Sequence, residues 1–320
     1  MIYKVLEGAE ILVLLANLRD SLPGTAKIFY VIRNYTRSLF PGFEVIVDKW
    51  PEWDCIIMRP VSENMVPRFF KHMYICHAKS VSALKYFIQR PCVINWIQPA
   101  TFTGLQRDIV PVVIEMSRKY CGKVSAVEAR LMYAWPKRVP PEVPRVPDGL
   151  QLTKLKPEHA RIMREHWERS RQVENMEGYF RSVIEQFDSS CLIDDRGELL
   201  AYICMQYNGS MAMLYVRPEC REKGYFQIIL SDLTRTLINR GEIAYGFIPT
   251  QDTSLVNMSR ELGFEWVPQG NMVWLEYKPM KQSLTKHSRL PTRMRSGSSA
   301  DENDTEKLRI NAIPLALKNW

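Results

Sequence analysis

Five prolines fall within twelve residues, at positions 136, 140, 141, 144 and 147. Proline has no backbone N–H, fixes its own φ and pushes the residue before it toward extended conformations. Residues 136–149 therefore cannot form a helix interior or a central strand, and the spacing predicts an extended linker. This linker leaves 1–135 and 150–277 as two segments of domain size within a chain of 320 residues. A hydrophobic content of 46% and an aromatic content of 11% suffice for packed cores and exclude an intrinsically disordered chain. A second break follows Tyr277. Residues 279–311 are dense in Ser, Thr and charged side chains. Residues 278–320 are thus expected to be a disordered tail, with the apolar Ile313–Trp320 stretch able to dock. No internal repeat is visible.

Several function classes fall away on composition. No apolar run reaches the ~18–20 residues that span a bilayer; the best candidate, Ile11–Ala16, runs straight into Arg19 and Asp20. Lys4, Glu7 and Glu10 do not make a secretory signal. The seven cysteines include no CxxC pair, and an odd count in a chain this long points to reduced thiols. His72 and His77 are spaced wrongly for one helix face, so no metal site is expected. The net charge of +8 is concentrated in one acid-free stretch, Lys278, Lys281, Lys286, Arg289, Arg293 and Arg295, followed by Asp301, Glu302, Asp304 and Glu306. The remaining basic residues are scattered without a nucleic-acid motif. The expectation is a monomer that binds neither nucleic acid nor membrane, with a positive balance suited to a ligand carrying several phosphates.

The first segment reads as mixed α and β: a helix at Ala9–Leu18, strands at Lys27–Ile32, Phe43–Val47 and Asp54–Met58, and helices at Ser80–Gln89 and Leu105–Lys119. The second is sharper. A strand at Leu150–Leu155 precedes a helix begun by Pro157 and carried through His159–Arg169, then a helix at Met176–Phe187. Strands at Cys191–Ile193 and Leu199–Tyr207 flank the turn Asp194-Asp195-Arg196-Gly197. A strand at Met211–Val216, a loop at Arg217–Gly224 and a helix at Tyr225–Arg240 stopped by Gly241 come next. A strand at Ile243–Ile248, a helix at Ser254–Leu262 and a strand at Met272–Tyr277 close the series.

The chemistry concentrates in Val216-Arg217-Pro218-Glu219-Cys220-Arg221-Glu222-Lys223-Gly224-Tyr225-Phe226. A pyrophosphate needs several convergent N–H donors, and a helix N-terminus supplies up to four together with a positive dipole end. Gly224 removes the Cβ that would block close approach of backbone to phosphate. Arg221 and Lys223 add charge. This strand–loop–helix, in this order of elements, resembles the acyl-CoA signature of the GCN5-related acetyltransferases, an α/β fold. The resemblance implies that Arg221, Glu222, Lys223, Gly224, Tyr225 and Phe226 cradle the CoA phosphates. It also implies that the main chain of Leu214, Tyr215 and Val216 holds pantetheine, where parallel strands part. The signature usually ends in Gly or Ala, so Phe226 is expected to narrow the space beside the pyrophosphate.

More of the chain resembles one family, the glycine N-acyltransferases. The matching pieces are Ser21-Leu22-Pro23 with Lys27, Val47-Asp48-Lys49-Trp50-Pro51, Ile94-Asn95-Trp96, His166-Trp167, Ser190-Cys191-Leu192 and Pro218-Glu219-x-Arg221-x-x-Gly224. The resemblance implies a mitochondrial or cytosolic enzyme that joins an acyl group from acyl-CoA, a co-substrate rather than a resident cofactor, to glycine or another small amine. The family's base, a Glu at the start of the strand before the loop, falls on Ser210. The superfamily's thiolate-protonating Tyr falls on Ser259. A serine hydroxyl has no carboxylate with which to take a proton at neutral pH. Two readings follow: an acyltransferase whose proton traffic runs through water or His166, or an acyl-CoA-binding protein that has lost its base. No Ser/His/Asp set is legible, and Cys220 reads as a loop cysteine rather than a nucleophile.

Overall fold

The computed structural model describes residues 3–39, 41–61, 70–166 and 175–280. The expected tail beyond Met280, Trp167 and the end of the helix expected through Arg169 lie outside them. The chain opens with β1 (Lys4–Leu6), α1 (Ala9–Arg19), α2 (Ala26–Thr36), β2 (Phe43–Val47), β3 (Cys55–Pro60), β4 (Met73–Ala78), α3 (Val81–Ile88), β5 (Ala100–Gln106), α4 (Val110–Lys119) and β6 (Gly122–Ala134). It then runs through β7 (Leu150–Thr153), α5 (Ala160–His166), α6 (Met176–Gln186), β8 (Ser189–Asp194), β9 (Leu199–Met205), β10 (Met211–Val216), α7 (Tyr225–Asn239), β11 (Tyr245–Pro249), α8 (Thr253–Glu261) and β12 (Glu265–Pro279). These two series have the same order: strand, two helices, three strands, helix, strand, helix, strand. In each, the fourth strand pairs in parallel with the fifth, β4 with β5 and β10 with β11. The fold is thus an internal repeat, contrary to the reading of the sequence. A repeat of element order needs only matching burial patterns, and cores of the same shape accept widely different apolar residues.

The repeats are joined by an exchange of their last strands. The strand order is β1-β2-β3-β4-β5-β12-β6-β11-β10-β9-β8-β7. β12 lies between β5 and β6, while β6 pairs with β11 on its other edge. Each repeat therefore completes the other's sheet. Residues 136–149 carry no helix or strand, as their prolines require. Among the described residues no helix is long and apolar enough to cross a membrane, and no cluster of His, Cys, Asp and Glu could hold a metal ion.

The helices lie where apolar spacing puts them, with instructive exceptions. α1 buries Ile11, Leu14, Leu15 and Leu18, an i, i+3, i+4, i+7 stripe. Lys27–Ile32, expected as a strand, lies inside α2. Its Ala26–Ile32 run is buried on all sides, and such a run has no helical period to distinguish it from a buried strand. The helix expected from Leu105 begins only at Val110. Leu105 and Gln106 end β5, and a single 3-10 turn at Arg107–Ile109 makes the corner.

Lys27 is the odd member of that core. It is 4% exposed, and its Nζ donates to the carbonyls of Thr103 and, at 3.2 Å, Gly104. These carbonyls lie just past the last β4–β5 register pair, Tyr74↔Phe102, where the strands part. The lysine thus fills the split of the first repeat from within. Gly104, at φ +59°, makes room, since a Cβ there would stand 2.7 Å from Lys27 Nζ. Burial pushes the Lys27 pKa down to about 7, and a neutral amine carries one hydrogen for each of the two carbonyls. The unfolded chain then holds this proton up to pH 10.5 while the folded chain releases it near 7, so stability rises with pH across that window. In urea titrations the wild type should gain on Lys27→Met between pH 7 and pH 10.5. The ceiling is about 5 kcal/mol, the pKa difference converted at ~1.4 kcal/mol per unit. A pH-independent difference would show that the ammonium stays charged when folded.

Candidate active site

The second repeat opens where the first is plugged. β10 and β11 share one register pair, Met211↔Gly246, and then diverge. On its other edge β10 slips register against β9 between Ala212 and Tyr215, and Met213 takes φ +54°. This is a bulge, which bends a strand and re-aims its amides. β9 is buried from end to end, whereas β10 is only half-buried from Ala212 onward. The expected strand Met211–Val216 is present with those bounds, and Leu214, Tyr215 and Val216 lie beyond the last β11 partner.

β10 leads through Arg217 and a 3-10 turn at Pro218–Cys220 into the loop. Glu222 has φ +66° and Gly224 φ +78°. Alternation of left-handed with ordinary residues turns successive N–H groups inward to form an anion-binding cup. The first α7 bond is Ile228 N–H to the Gly224 carbonyl at 3.3 Å, so the amides before it are free of the helix ladder. No side chain caps α7, and its first turn holds no acidic residue. The matching helix of the first repeat differs on every count. Only Lys79 and Ser80 separate β4 from α3, and the Ser80 hydroxyl caps that helix by accepting from Ala83 N–H at 3.2 Å.

The loop has space for an anion. A Cβ built on Gly224 would meet nothing nearer than Gln227 Oε1 at 3.9 Å. Arg221 Nε is buried without a hydrogen-bond partner among the described residues, and Lys223 is exposed. An orphaned guanidinium N–H beside an open cup of amides suits a phosphate. Tyr225 and Phe226 are buried in the core beneath α7, so the expected narrowing by Phe226 is corrected: its ring is part of that packing. Ser190 Oγ donates to Asp232 Oδ2 at 2.7 Å and ties α7 to β8.

The face of the split turned away from α7 is aromatic. His166 stacks on Tyr215 with ring centroids 3.8 Å apart, and Tyr215 stacks on Tyr202 at 5.4 Å. Burial, aided by the Arg217 charge and opposed by Glu165, lowers the His166 pKa and favours neutral imidazole. Across the split Phe247 of β11 meets Trp274 of β12 edge to face at 5.5 Å. Ser210 is 2% exposed; its Oγ and its N–H both donate to Asn208 Oδ1, at 2.8 and 3.1 Å. Ser259 is buried on α8, and Cys220 is a buried free thiol. Sequence reasoning did not find the Phe247–Trp274 pair. Its rings come from β11 and β12, which meet only through the strand exchange.

A sheet parted after its fourth strand, with a glycine-led helix below the gap, defines the GCN5-related N-acetyltransferase fold. A Drosophila protein of known structure shares it at a TM-score of 0.72 and 15% identity, covering 87% of this chain and 99% of that one. A tandem acetyltransferase of this fold from the clavulanic acid pathway matches at 0.50 and 13% identity, over 86% and 97%. Residues 3–188 match the family model of aralkyl acyl-CoA:amino acid N-acyltransferases, and residues 191–275 match that of FR47-like proteins. Bovine glycine N-acyltransferase is 23% identical over 294 residues, 84% of this chain and 98% of the relative. Bovine glycine N-phenylacetyltransferase is 24% identical over 289 residues, 84% and 97%. The chain belongs to the glycine N-acyltransferase family and is an acyltransferase.

Proposed function

We propose that this enzyme binds acyl-CoA in the second repeat and transfers the acyl group directly to the amino group of glycine or another small amine. The observation that carries the reading is the pairing of an uncapped helix N-terminus with a parted β10–β11 edge. Phosphates sit on the 221–226 cup, and pantetheine runs along Leu214–Val216, whose N–H groups polarise the thioester carbonyl. The neutral amine attacks that carbonyl, the C–N bond forms and the C–S bond breaks. The amine sheds a proton to solvent, and the thiolate takes one up. On this reading the chain acts as a monomer without a resident cofactor. The two repeat units, 1–135 and 150–277, are joined by 136–149. The family's mitochondrial location goes with the reading, the cytosol being the alternative.

A thiol-release assay across a panel of acyl-CoAs, with glycine and other small amines as acceptors, tests the reaction. Release that no amine stimulates would sink it. The plugged first repeat makes a second expectation: calorimetry with CoA should give one site per chain. Two sites would mean that Lys27 yields to ligand.

A further inference from the structure

One rim of the sheet gathers apolar and basic side chains that acyl transfer does not use. β12 ends at Pro279 beside Gly122, where β6 begins, and the Met280 N–H extends the contact by donating to the Cys121 carbonyl at 3.2 Å. Tyr120, the residue that closes α4, lies flat on Trp96, with ring centroids 5.4 Å apart and planes 7° apart. Trp96 is tied to β12 by Tyr277, whose hydroxyl donates to the Trp96 carbonyl at 2.8 Å. Around this buried pair the apolar side chains face water: Ile97 is 85% exposed, Met280 51% and Tyr120 41%. Apolar side chains scattered singly over a surface are ordinary, whereas side chains gathered beside one another form the kind of patch that interaction sites use.

The same rim is basic. Arg118 and Lys119 lie in the last turn of α4, and Lys123 and Lys278 stand directly opposite each other on β6 and β12. All four are exposed, and none is in an ion pair among the described residues. Like charges facing each other across a ladder repel, which a counter-anion would offset. The sequence after Met280 adds Lys281, Lys286, Arg289, Arg293 and Arg295 before its first acid, Asp301. The acids from Asp301 to Glu306 are outnumbered by those cations, so they do not neutralise the rim. We infer that this rim docks on an anionic lipid surface. The Lys and Arg side chains meet the headgroups, and Ile97, Tyr120 and Met280 enter the interface. A tyrosine suits that boundary because its ring is apolar and its hydroxyl stays wet. Each Lys or Arg near such a surface strengthens binding roughly 5-fold. The contact is peripheral, and it departs from the expectation of no membrane contact. The residues concerned are scattered along the chain and meet only where β12 closes against β6 and α4. The rim lies at the end of the sheet toward which β10 and β11 part, because β6 runs antiparallel to β11 and begins there.

The test is cosedimentation of the full-length protein with vesicles of phosphatidylcholine, with and without phosphatidylserine. Wild type should bind the anionic vesicles at least ~10-fold more tightly than the neutral ones, and added salt should weaken that binding. The double variant Lys123→Glu, Lys278→Glu should bind the anionic vesicles at least ~30-fold more weakly, from two contributions of ~5-fold each. Ile97→Ser should lose about 10-fold through its apolar contact. Because these side chains are exposed, melting temperature and CoA affinity should match wild type in both variants. Equal binding to neutral and anionic vesicles, or no binding to either, overturns the inference. So does anionic binding that neither variant weakens, which would assign it to the sequence after Met280 alone. A loss in the lysine variant without one in Ile97→Ser would mark a site for soluble polyanions, and it too overturns the lipid assignment.

Discussion

Gly224→Phe is expected to abolish acyl-CoA binding, at least a 10²-fold loss, while leaving a folded protein. The two halves of that expectation have separate physical causes. Gly224 sits at φ +78°, where any other residue is strained by about 1–2 kcal/mol, so the melting temperature should drop modestly. A Cβ there meets only Gln227 Oε1 at 3.9 Å, so the new ring has somewhere to go when the loop is empty. That somewhere is the cup itself, where the phosphates must come within hydrogen-bonding distance of the amides. Gly224→Ala should carry most of the strain and a smaller part of the binding loss, which separates backbone geometry from obstruction. Calorimetry with CoA, alongside a thermal melt of each variant, reads both quantities. Unchanged affinity in Gly224→Phe would remove the cup from the CoA site.

The second repeat was legible because its signals are local. The Asp194–Gly197 turn, the Gly224 break, Pro157 at a helix start and Gly241 at a helix end each act on their own few residues, and Met211–Val216 is a strand with the expected bounds. The 221–226 loop could be placed for the same reason, since Gly224 marks the break at which α7 begins. The first repeat was harder. The Ala26–Ile32 run of α2 is buried throughout and reads equally as a buried strand, and the repeat lies in the order of elements. The exchange of β6 and β12 could not be seen at all. Strand pairing across half the chain depends on which edges are left open once the helices have packed, and no short window holds that information. Everything that depends on the exchange went with it, which is why the Phe247–Trp274 pair appeared only once β11, β6 and β12 were side by side.

This strand exchange also bears on the two fates of the same architecture. In both repeats the fourth and fifth strands part, which leaves backbone groups without partners. Buried groups of that kind must be satisfied. In the first repeat Lys27 supplies donors to the β5 carbonyls, and the Gln106 side chain accepts from Ala78 N–H at 3.1 Å near the end of β4. The second repeat leaves its edge half-exposed, beside the uncapped start of α7. On the proposed reading a ligand does there what a lysine does in the first. One repeat is thus closed as scaffold, and its helix α2 braces the other: Asn34 Nδ2 donates to the Tyr207 carbonyl at 2.7 Å, and Gly209 packs so closely on Tyr30 that a Cβ would lie 2.5 Å from it.

That bracing decides what Ser210 can do. Its hydroxyl donates to Asn208 Oδ1, the Asn208 carbonyl accepts from Tyr245 O–H, and the turn is pressed against α2. A hydroxyl spent as a donor in a buried turn does not remove a proton from an ammonium. Without a base the reaction should be slow at neutral pH and accelerate as the pH rises toward the acceptor's own pKa, because only the neutral amine attacks. Ser210→Glu should raise the neutral-pH rate, by up to ~10²–10⁴-fold, and flatten the profile. Burial would lift the new carboxyl toward the working pH, which is where a general base is most effective. The same substitution should cost about 1–3 kcal/mol of stability, since a carboxylate returns no proton to Asn208 Oδ1. Ser210→Ala loses one hydrogen bond, about 1 kcal/mol, and should leave the rate alone. Rate profiles of the three proteins, with denaturant melts beside them, check each part. A wild-type profile that turns at or below the usual histidine value of about 6.5, with no gain from Ser210→Glu, would place the base elsewhere. His166 is then the group to replace. Its ring lies on Tyr215 at 3.8 Å, and burial already keeps it in the neutral form that can accept the proton.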